Sequence, residues 1–436
     1  MERITAQPTE GLTYSPQDSR YFDAAKLRLE LDRVLDICHG CRVCFNLCPS
    51  FPALFKFVDE YDGEVRKLTD AQRDYVVASC YQCKLCNVKC PYTPPHHWEV
   101  DIPRLMLREK AVRVKRDGVS LQDRFLGNPD RTGKLGCSLA PLANWANRNS
   151  LTRQIMHSTV GVHKDREPPL FHATTFEEWF RKRKEGLKSA KKIALFYTCF
   201  INYNDPLQGI AAVEVLEKNG FEVLAPKQVC CGMPFLDGGD VDQAAKNMEE
   251  NIRSFQPAVD AGIPVVAPGP TCSYVLKNEF FYFTQNPAAE ALAKKTRDLC
   301  EFLVELKNRK QLNTDFKNAS PMKIAYQIPC HLRAQNIGYK SMELLRSIPG
   351  VKVELMEHCS AMDGTWGMKK QFFESSLKIA GKLFRETNQA APDEVCTDCP
   401  LSAMQIEHGT GKKPVHPVQI LQRAYGTGND SKDTKL

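Results

Sequence analysis

Residues 38–48 read CHGCRVCFNLC and are followed by Pro49; residues 80–90 read CYQCKLCNVKC and are followed by Pro91. Both obey the pattern Cys-x2-Cys-x2-Cys-x3-Cys-Pro. Three thiolates from the tight part of such a run wrap one face of a four-iron cube. The fourth cysteine turns away at the proline and serves the neighbouring cube. The spacing predicts two [4Fe–4S] clusters with crossed ligands: Cys38, Cys41, Cys44 and Cys90 on one, Cys80, Cys83, Cys86 and Cys48 on the other. Two zinc sites would use the same thiolate chemistry, but the repetition of the whole pattern with its proline favours iron–sulfur. Shared ligands force the two clusters close together.

Around these runs the sequence reads as mostly helical. Residues 1–23 are polar and read as a flexible lead-in that becomes ordered against a partner. Leu27, Leu31, Val34 and Leu35 fall at helical spacing within 24–36 and lead into the first run. About thirty residues separate Cys48 from Cys80, more than a minimal ferredoxin needs, so 24–116 is expected to be a helical two-cluster ferredoxin-type domain. Residues 101–116 predict a helix with Pro103, Leu107, Ala111 and Val114 on one face. It either packs beside a cluster or presents a basic surface to a partner or an anionic membrane. Residues 117–190 read as an irregular connector with short helices, including a second basic stretch at 176–192 that suits a solvated face.

From 191 the pattern changes. KKIALFYTC is a short apolar strand ending at Cys199. A helix near 208–219 leads to strand FEVLAP and then Cys230-Cys231-Gly232. A helix near 241–256 leads to strand PVVAP and Cys272. The series then recurs: MKIAYQIPC ends at Cys330, SMELLRSI leads to VKVELM and Cys359, and a helix near 370–388 leads to DEVCTDC with Cys396 and Cys399. Strands alternating with helices imply βαβ units on a mainly parallel sheet. The expected fold class is α+β for the whole chain and α/β within a duplicated unit. The repeats run 191–318 and 319–425, and a disordered tail follows at 426–436. In each repeat the cysteines fall at the C-terminal ends of strands, where open α/β sheets place their sites. Cys199, Cys230, Cys231 and Cys272 are one candidate ligand set; Cys330, Cys359, Cys396 and Cys399 are the other. Cys137 and Cys300 lack such company and read as structural. His331 and His358 flank ligand candidates, as ligands or as outer-shell groups, and Asp363–Gly367 read as a turn beside the second site.

Eighteen cysteines in 436 residues would suggest disulfides in a secreted chain. The polar N-terminus carries no signal-peptide pattern, so a cytoplasmic location with cysteines as cluster ligands is expected. No apolar run approaches the ~18–20 residues that span a membrane; any membrane role is then peripheral or through a partner. The net charge of +7 suits an acidic partner surface or anionic lipid better than nucleic acid. There is no nucleophile–base pattern, no dinucleotide fingerprint, no P-loop and no recognisable flavin motif. A purely one-electron carrier needs a partner for two-electron chemistry.

With these residues in view, the chain resembles the CCG-domain iron–sulfur family, which includes heterodisulfide reductase subunits and the iron–sulfur subunits of glycolate and lactate oxidases. The likeness is strongest to the branch serving anaerobic glycerol-3-phosphate dehydrogenases. It rests on both cysteine runs, TTFEEWF at 174–180, ALFYTCFINYN at 194–204, VCCGMP at 229–234, PCHLRAQ at 329–335 and GTWGMKK at 364–370. The resemblance implies electron transfer between a flavoprotein dehydrogenase subunit and a quinone or membrane-associated acceptor, with one or two further clusters in the repeats and no flavin in this chain. The alternative is a catalytic subunit that reduces a disulfide or quinone at a C-terminal cluster. The family's fuller motif is Cys, then Cys-Cys-Gly, then Cys-x-x-Cys. Here Gly269 stands where one cysteine of the first Cys-x-x-Cys is expected, and Ser360 replaces a thiolate when Cys359-Ser360-Ala361 is set against Cys-Cys-Gly. Chain purified without oxygen is expected to carry at least about eight irons for its two N-terminal cubes; an iron and acid-labile sulfide assay giving fewer would refute the reading.

Overall fold

The computed structural model describes residues 4–183 and 186–427; the tail expected beyond 427 lies outside the described residues. The first domain is built of helices. Asp23 caps Ala24–Cys41 by accepting from the amides of Ala25 and Lys26, and the helix buries Leu27, Leu31, Val34 and Leu35. That face packs on Phe51, Leu54 and Val58 of Ser50–Asp59 and on Val76 and Val77 of Asp70–Ala78. Each fully buried side chain of this size contributes roughly 1.5–3 kcal/mol, which fixes the scaffold between the two cysteine runs.

Helix Ile102–Asp117 buries Pro103, Leu107 and Ala111 of the face expected, and more besides. Ile102, Leu105, Met106, Leu107 and Ala111 are buried, and so is Arg108. Arg108 donates from Nε to the Tyr21 carbonyl at 2.7 Å, from Nη1 to Gly11 at 2.6 Å and from Nη2 to Arg20. The segment before the first helix, expected to be flexible, is therefore bound to its own chain, with Tyr21 buried beside Leu107 and Ala111. Four short helices follow, Leu121–Leu126, Pro129–Ser138, Ala140–Arg148 and Ser150–Thr159.

The repeats form two parallel sheets. In the first, β1 (Lys192–Leu195), β2 (Glu222–Leu224), β3 (Val265–Ala267) and β4 (Thr296–Asp298) run in the order β2-β1-β3-β4. In the second, β5 (Met322–Gln327), β6 (Val351–Met356) and β7 (Glu394–Thr397) run β6-β5-β7. All pairings are parallel, as helical crossovers require. The central strands are apolar runs buried on both faces, and β6, at an edge, carries Lys352 and Glu354 outward. Strand β4 has no counterpart among the expected strands: Thr-Arg-Asp has no apolar signature, and the strand exists because Thr296 and Asp298 are buried by neighbouring helices.

The repeats exchange their last helices. Pro417–Tyr425, from the second, packs on Pro206–Lys218 of the first, and Leu299–Asn308, closing the first, packs on Lys340–Leu345 of the second. One core runs through both sheets, from Ile193 and Leu195 to Ile324, Tyr326 and Leu421. Beside it, Asp398 accepts hydrogen bonds from Tyr326 and Ser341, each at 2.6 Å, and Asp298 accepts from Ser273 at 3.2 Å.

Replacing Arg108 by Met keeps most of its volume but takes the Arg108 donors from the buried carbonyls of Gly11 and Tyr21, while the Arg20 carbonyl keeps the Asp23 amide. The expected loss is about 3 kcal/mol, read by chemical denaturation, with faster proteolytic cleavage inside residues 4–22. A variant as stable and as resistant as the parent would show that the lead-in is not held this way.

Candidate functional site

Two small cavities lie in the first domain. One is lined by Cys38, Cys41, Cys44 and Cys90, the other by Cys48, Cys80, Cys83 and Cys86. These are the two crossed sets expected from the spacing. Burial, followed by Cys90, Cys44 and Cys41, lifts the Cys38 thiol well above its ordinary range. Burial, followed by Cys90 and Cys41, pushes Cys44 up to about 11. Cys86 is raised by burial and then by Cys83, Cys80 and Cys48, with Cys44 of the other set also in reach. Thiols gathered this closely do not ionise together without a cation beside them. An iron–sulfur cluster supplies that charge and takes thiolate ligands, so both sets fit one.

The second set is turned towards the repeats. Tyr81 donates to the Leu47 carbonyl at 3.3 Å, and its hydroxyl lies 3.6 Å from Cys359 Sγ. Its ring meets Trp366 edge-on at 5.0 Å, and Trp366 Nε1 donates to the Ala78 carbonyl at 3.0 Å. Lys84, buried, lies 3.5 Å from Glu279, which also pairs with Arg104 at 3.4 Å. Burial pushes the Glu279 carboxyl up, but Arg104 and Lys84 outweigh it and hold it below the usual range.

Both repeats place their cysteines at matching steps. Cys199 and Cys330 each open the short helix after the central strand, Cys199–Tyr203 and Cys330–Ala334. Cys230-Cys231-Gly232 matches Cys359-Ser360-Ala361, since Gly232 and Ala361 both turn through positive φ, 101° and 53°. The last step corrects the expected register. Gly269 caps helix Pro270–Asn278, and Cys399 caps helix Pro400–Thr410. Cys399 therefore occupies the place of Gly269, and Ser402 the place of Cys272. Cys396 lies three residues earlier, within β7 beside Tyr326, and packs in the shared core rather than in the site.

In the first repeat the four expected cysteines meet. Cys230 contacts Cys199 and Cys231, and Cys231 contacts Cys272. Sharing with Cys199 and Cys231 lifts Cys230, sharing with Cys231 lifts Cys272, and burial adds to both. Cys231, which accepts from Cys230 and Cys272, is held down. This cluster of thiols also needs a cation. In the second repeat Cys330 donates to Asp363 Oδ1 at 2.9 Å, and Cys359 lies 3.8 Å from Asp363 Oδ2. Burial pushes the Asp363 carboxyl up to about 6 against the pull of those two thiols. Ser360 and Ser402 bond to each other at 2.9 Å.

The histidines do not face an open ligand position. His331 has its Nε2 3.0 Å from the Gln82 carbonyl and its Nδ1 2.9 Å from the Thr271 hydroxyl. A carbonyl only accepts, so Nε2 carries the hydrogen and Nδ1 accepts from Thr271. Burial pushes this imidazole down to about 4. His358 is largely exposed near Glu386. Cys137 and Cys300 are buried apart from the site.

The two repeat sites open on one cavity of about 280 Å³, lined by Cys199, Cys231, Cys272, Cys330 and Cys399. Its outer wall is apolar and comes from the short helices and the chain after them, including Phe125, Leu126, Met156 and Phe171. The sequence carries no signal for this wall, because the connector supplies it through tertiary packing.

Residues 31–117 match the family model described as the citrate utilization protein B Fer4-like domain, and residues 193–277 and 324–407 each match the cysteine-rich domain, CCG. The chain is 30% identical over 392 residues to a subunit of the anaerobic glycerol-3-phosphate dehydrogenase of Escherichia coli K12, covering 79% of this chain and 98% of the relative. It is 30% identical over 243 residues to lactate utilization protein A of Bacillus licheniformis, 53% of this chain and 97% of the relative. It is 28% identical over 242 residues to a subunit of the fumarate reductase (CoM/CoB) of Methanothermobacter marburgensis, 54% of this chain and 46% of the relative.

The placement of Cys396 and Cys399 separates their roles. Cys399→Ser is expected to lower the iron bound per chain, whereas Cys396→Ser should leave iron and EPR spectra at parental levels. Iron loss in the Cys396 variant alone would restore the register expected from the sequence.

Proposed function

Because the chain belongs to the CCG iron–sulfur family that includes this anaerobic glycerol-3-phosphate dehydrogenase subunit, we propose that it is the electron-transfer subunit of a flavoprotein dehydrogenase, passing electrons between that partner and a quinone. The carrying observation is the order of the thiol sets. Cys38, Cys41, Cys44 and Cys90 lie outermost. Cys44 is within reach of Cys86 in the second set. Cys83 and Cys48 face Cys330, Cys359 and Asp363 of the second repeat. Cys399 in turn faces Cys272 of the first. Iron–sulfur clusters bound on these thiolates supply one-electron storage; two [4Fe–4S] clusters suit the N-terminal sets and one or two further clusters suit the repeats.

Each end of this series has a surface suited to a different partner. Around the outer set, Val43, Phe45 and Val88 are 57%, 50% and 49% exposed. This apolar rim suits docking of a flavoprotein subunit. At the far end, the apolar cavity suits the ring of a quinone. The helices that wall it also expose Leu135, Leu142, Trp145 and Leu151 beside Arg124, Arg131 and Arg148. Apolar and aromatic side chains set among arginines suit a peripheral seat on anionic lipid. No helix among the described residues is long and apolar enough to cross a membrane. The catalytic alternative, disulfide reduction at a five-thiolate site, has less support, since among the described residues neither repeat gathers five cysteines.

Cys83→Ser is expected to leave the complex with its flavoprotein assembled while lowering substrate-dependent quinone reduction at least about 10-fold. Unchanged turnover would refute the relay, and loss of assembly would favour a scaffold role. In sedimentation with liposomes, the chain should bind vesicles containing anionic lipid more than neutral ones and be released by salt; binding indifferent to both would remove the lipid seat.

A further inference from the structure

The repeats do not offer equal ligand sets. The first brings together four thiols. In the second, the places of Cys231 and Cys272 are taken by Ser360 and Ser402, leaving Cys330, Cys359 and Cys399. Those two hydroxyls bond to each other at 2.9 Å and are poor iron ligands in their neutral form. We propose that Asp363 supplies the missing ligand, so that the second repeat holds an iron–sulfur cluster on three thiolates and one carboxylate oxygen. This rests on the reading that the second repeat binds a cluster.

Three observations carry the assignment. Asp363 touches two of the three cysteines, at 2.9 Å from Cys330 and 3.8 Å from Cys359, and lines one cavity with Cys330 and Cys399. Among the described residues Asp363 forms no ion pair with lysine or arginine, and its side chain accepts only from those two thiols. A carboxylate enclosed in this way lacks the positive charge it needs, and iron supplies it. The third observation comes from comparing the repeats. The step from Cys359-Ser360-Ala361 to Met362 and Asp363 matches the step from Cys230-Cys231-Gly232 to Met233 and Pro234. The repeat with four thiols has proline at that step; the repeat with three has aspartate.

The binding step balances without redox change. Cys330, Cys359 and Cys399 release their protons as thiolates to iron, and Asp363 binds as carboxylate. A carboxylate is a harder, weaker partner for cluster iron than thiolate, so the iron it holds should be the first lost on oxidation.

The test uses the full chain purified without oxygen, with iron and sulfide analysis and EPR as readouts. Mild ferricyanide oxidation of the parent should produce the near-isotropic EPR signal of a three-iron cluster, at about one per chain. Asp363→Cys should suppress that signal and retain all the iron. Asp363→Asn should lack about one iron per chain as purified, its three-iron core left reduced and without that signal, and should show the signal on one-electron oxidation by ferricyanide with no further iron lost. If the asparagine variant does not accumulate as folded protein, the cysteine variant decides alone. Parental iron content and spectra in both variants would overturn the ligand assignment. Cys330→Ser and Cys359→Ser distinguish the two levels of the claim: if both also keep parental iron, the second repeat holds no cluster, and the underlying reading fails rather than the choice of ligand.

Discussion

The loop from Ala78 to Cys86 is held from both sides, and the rest of the arrangement depends on that seat. Cys80, Cys83 and Cys86 must face one way to share a cavity with Cys48. The backbone reaches this by turning through positive φ at Gln82 and Lys84, 59° and 64°. Such turns cost free energy in residues other than glycine, and they persist because both side chains are fixed. Gln82 donates to the Pro103 carbonyl at 3.1 Å, and Lys84 donates to Gln82 at 2.9 Å while facing Glu279 of the first repeat. The Gln82 carbonyl receives His331, and Trp366 reaches the Ala78 carbonyl. One short loop thus orders the thiols and joins the first domain to both repeats.

Charge explains why the joint is so closely fitted. The sequence offers sixteen cysteines as ligands, and fifteen of them lie on cavities or beside another thiol, several raised well above their ordinary ionisation range by burial and by one another. Thiols so crowded ionise only with cations beside them, and the two lysines closest to the joint are tied to other partners. Lys84 is committed to Gln82 and Glu279, and Lys110 donates to the carbonyls of Cys80 and Asp237. The helix that reads as a basic surface turns Arg104, Arg108 and Lys110 inward as fasteners. Lysine and arginine hold the frame, leaving the sulfur atoms and Asp363 as the proposed ligands.

Much of this is legible in the sequence. The paired cysteine runs announce crossed sets because thiolate spacing is a local property that tertiary context rarely changes. The strands of both repeats are readable because parallel strands buried on two faces are short apolar runs, such as Lys192–Leu195. The Cys396–Cys399 register misleads for a physical reason. A Cys-x-x-Cys spelling matches the family motif, but a helix start is set by its cap, and Cys399 and Pro400 fall where Gly269 and Pro270 fall. Strand β4, the bound lead-in and the cavity wall are not legible, because each depends on partners far away in sequence: helices around Thr296, Arg108 for Gly11 and Tyr21, and the short helices for the cavity.

If the thiol sets form one connected series, with Cys83 beside Cys330 at the joint, clusters bound along it act on one another. Reductive EPR titration of the whole chain under anaerobic conditions tests it most directly. Neighbouring clusters interact magnetically, so signals should broaden and split as successive electrons enter, and Cys83→Ser should simplify the spectra of the repeat clusters. Spectra that remain a plain sum of independent, unsplit signals at every stage of reduction, in parent and variant alike, would contradict a connected series.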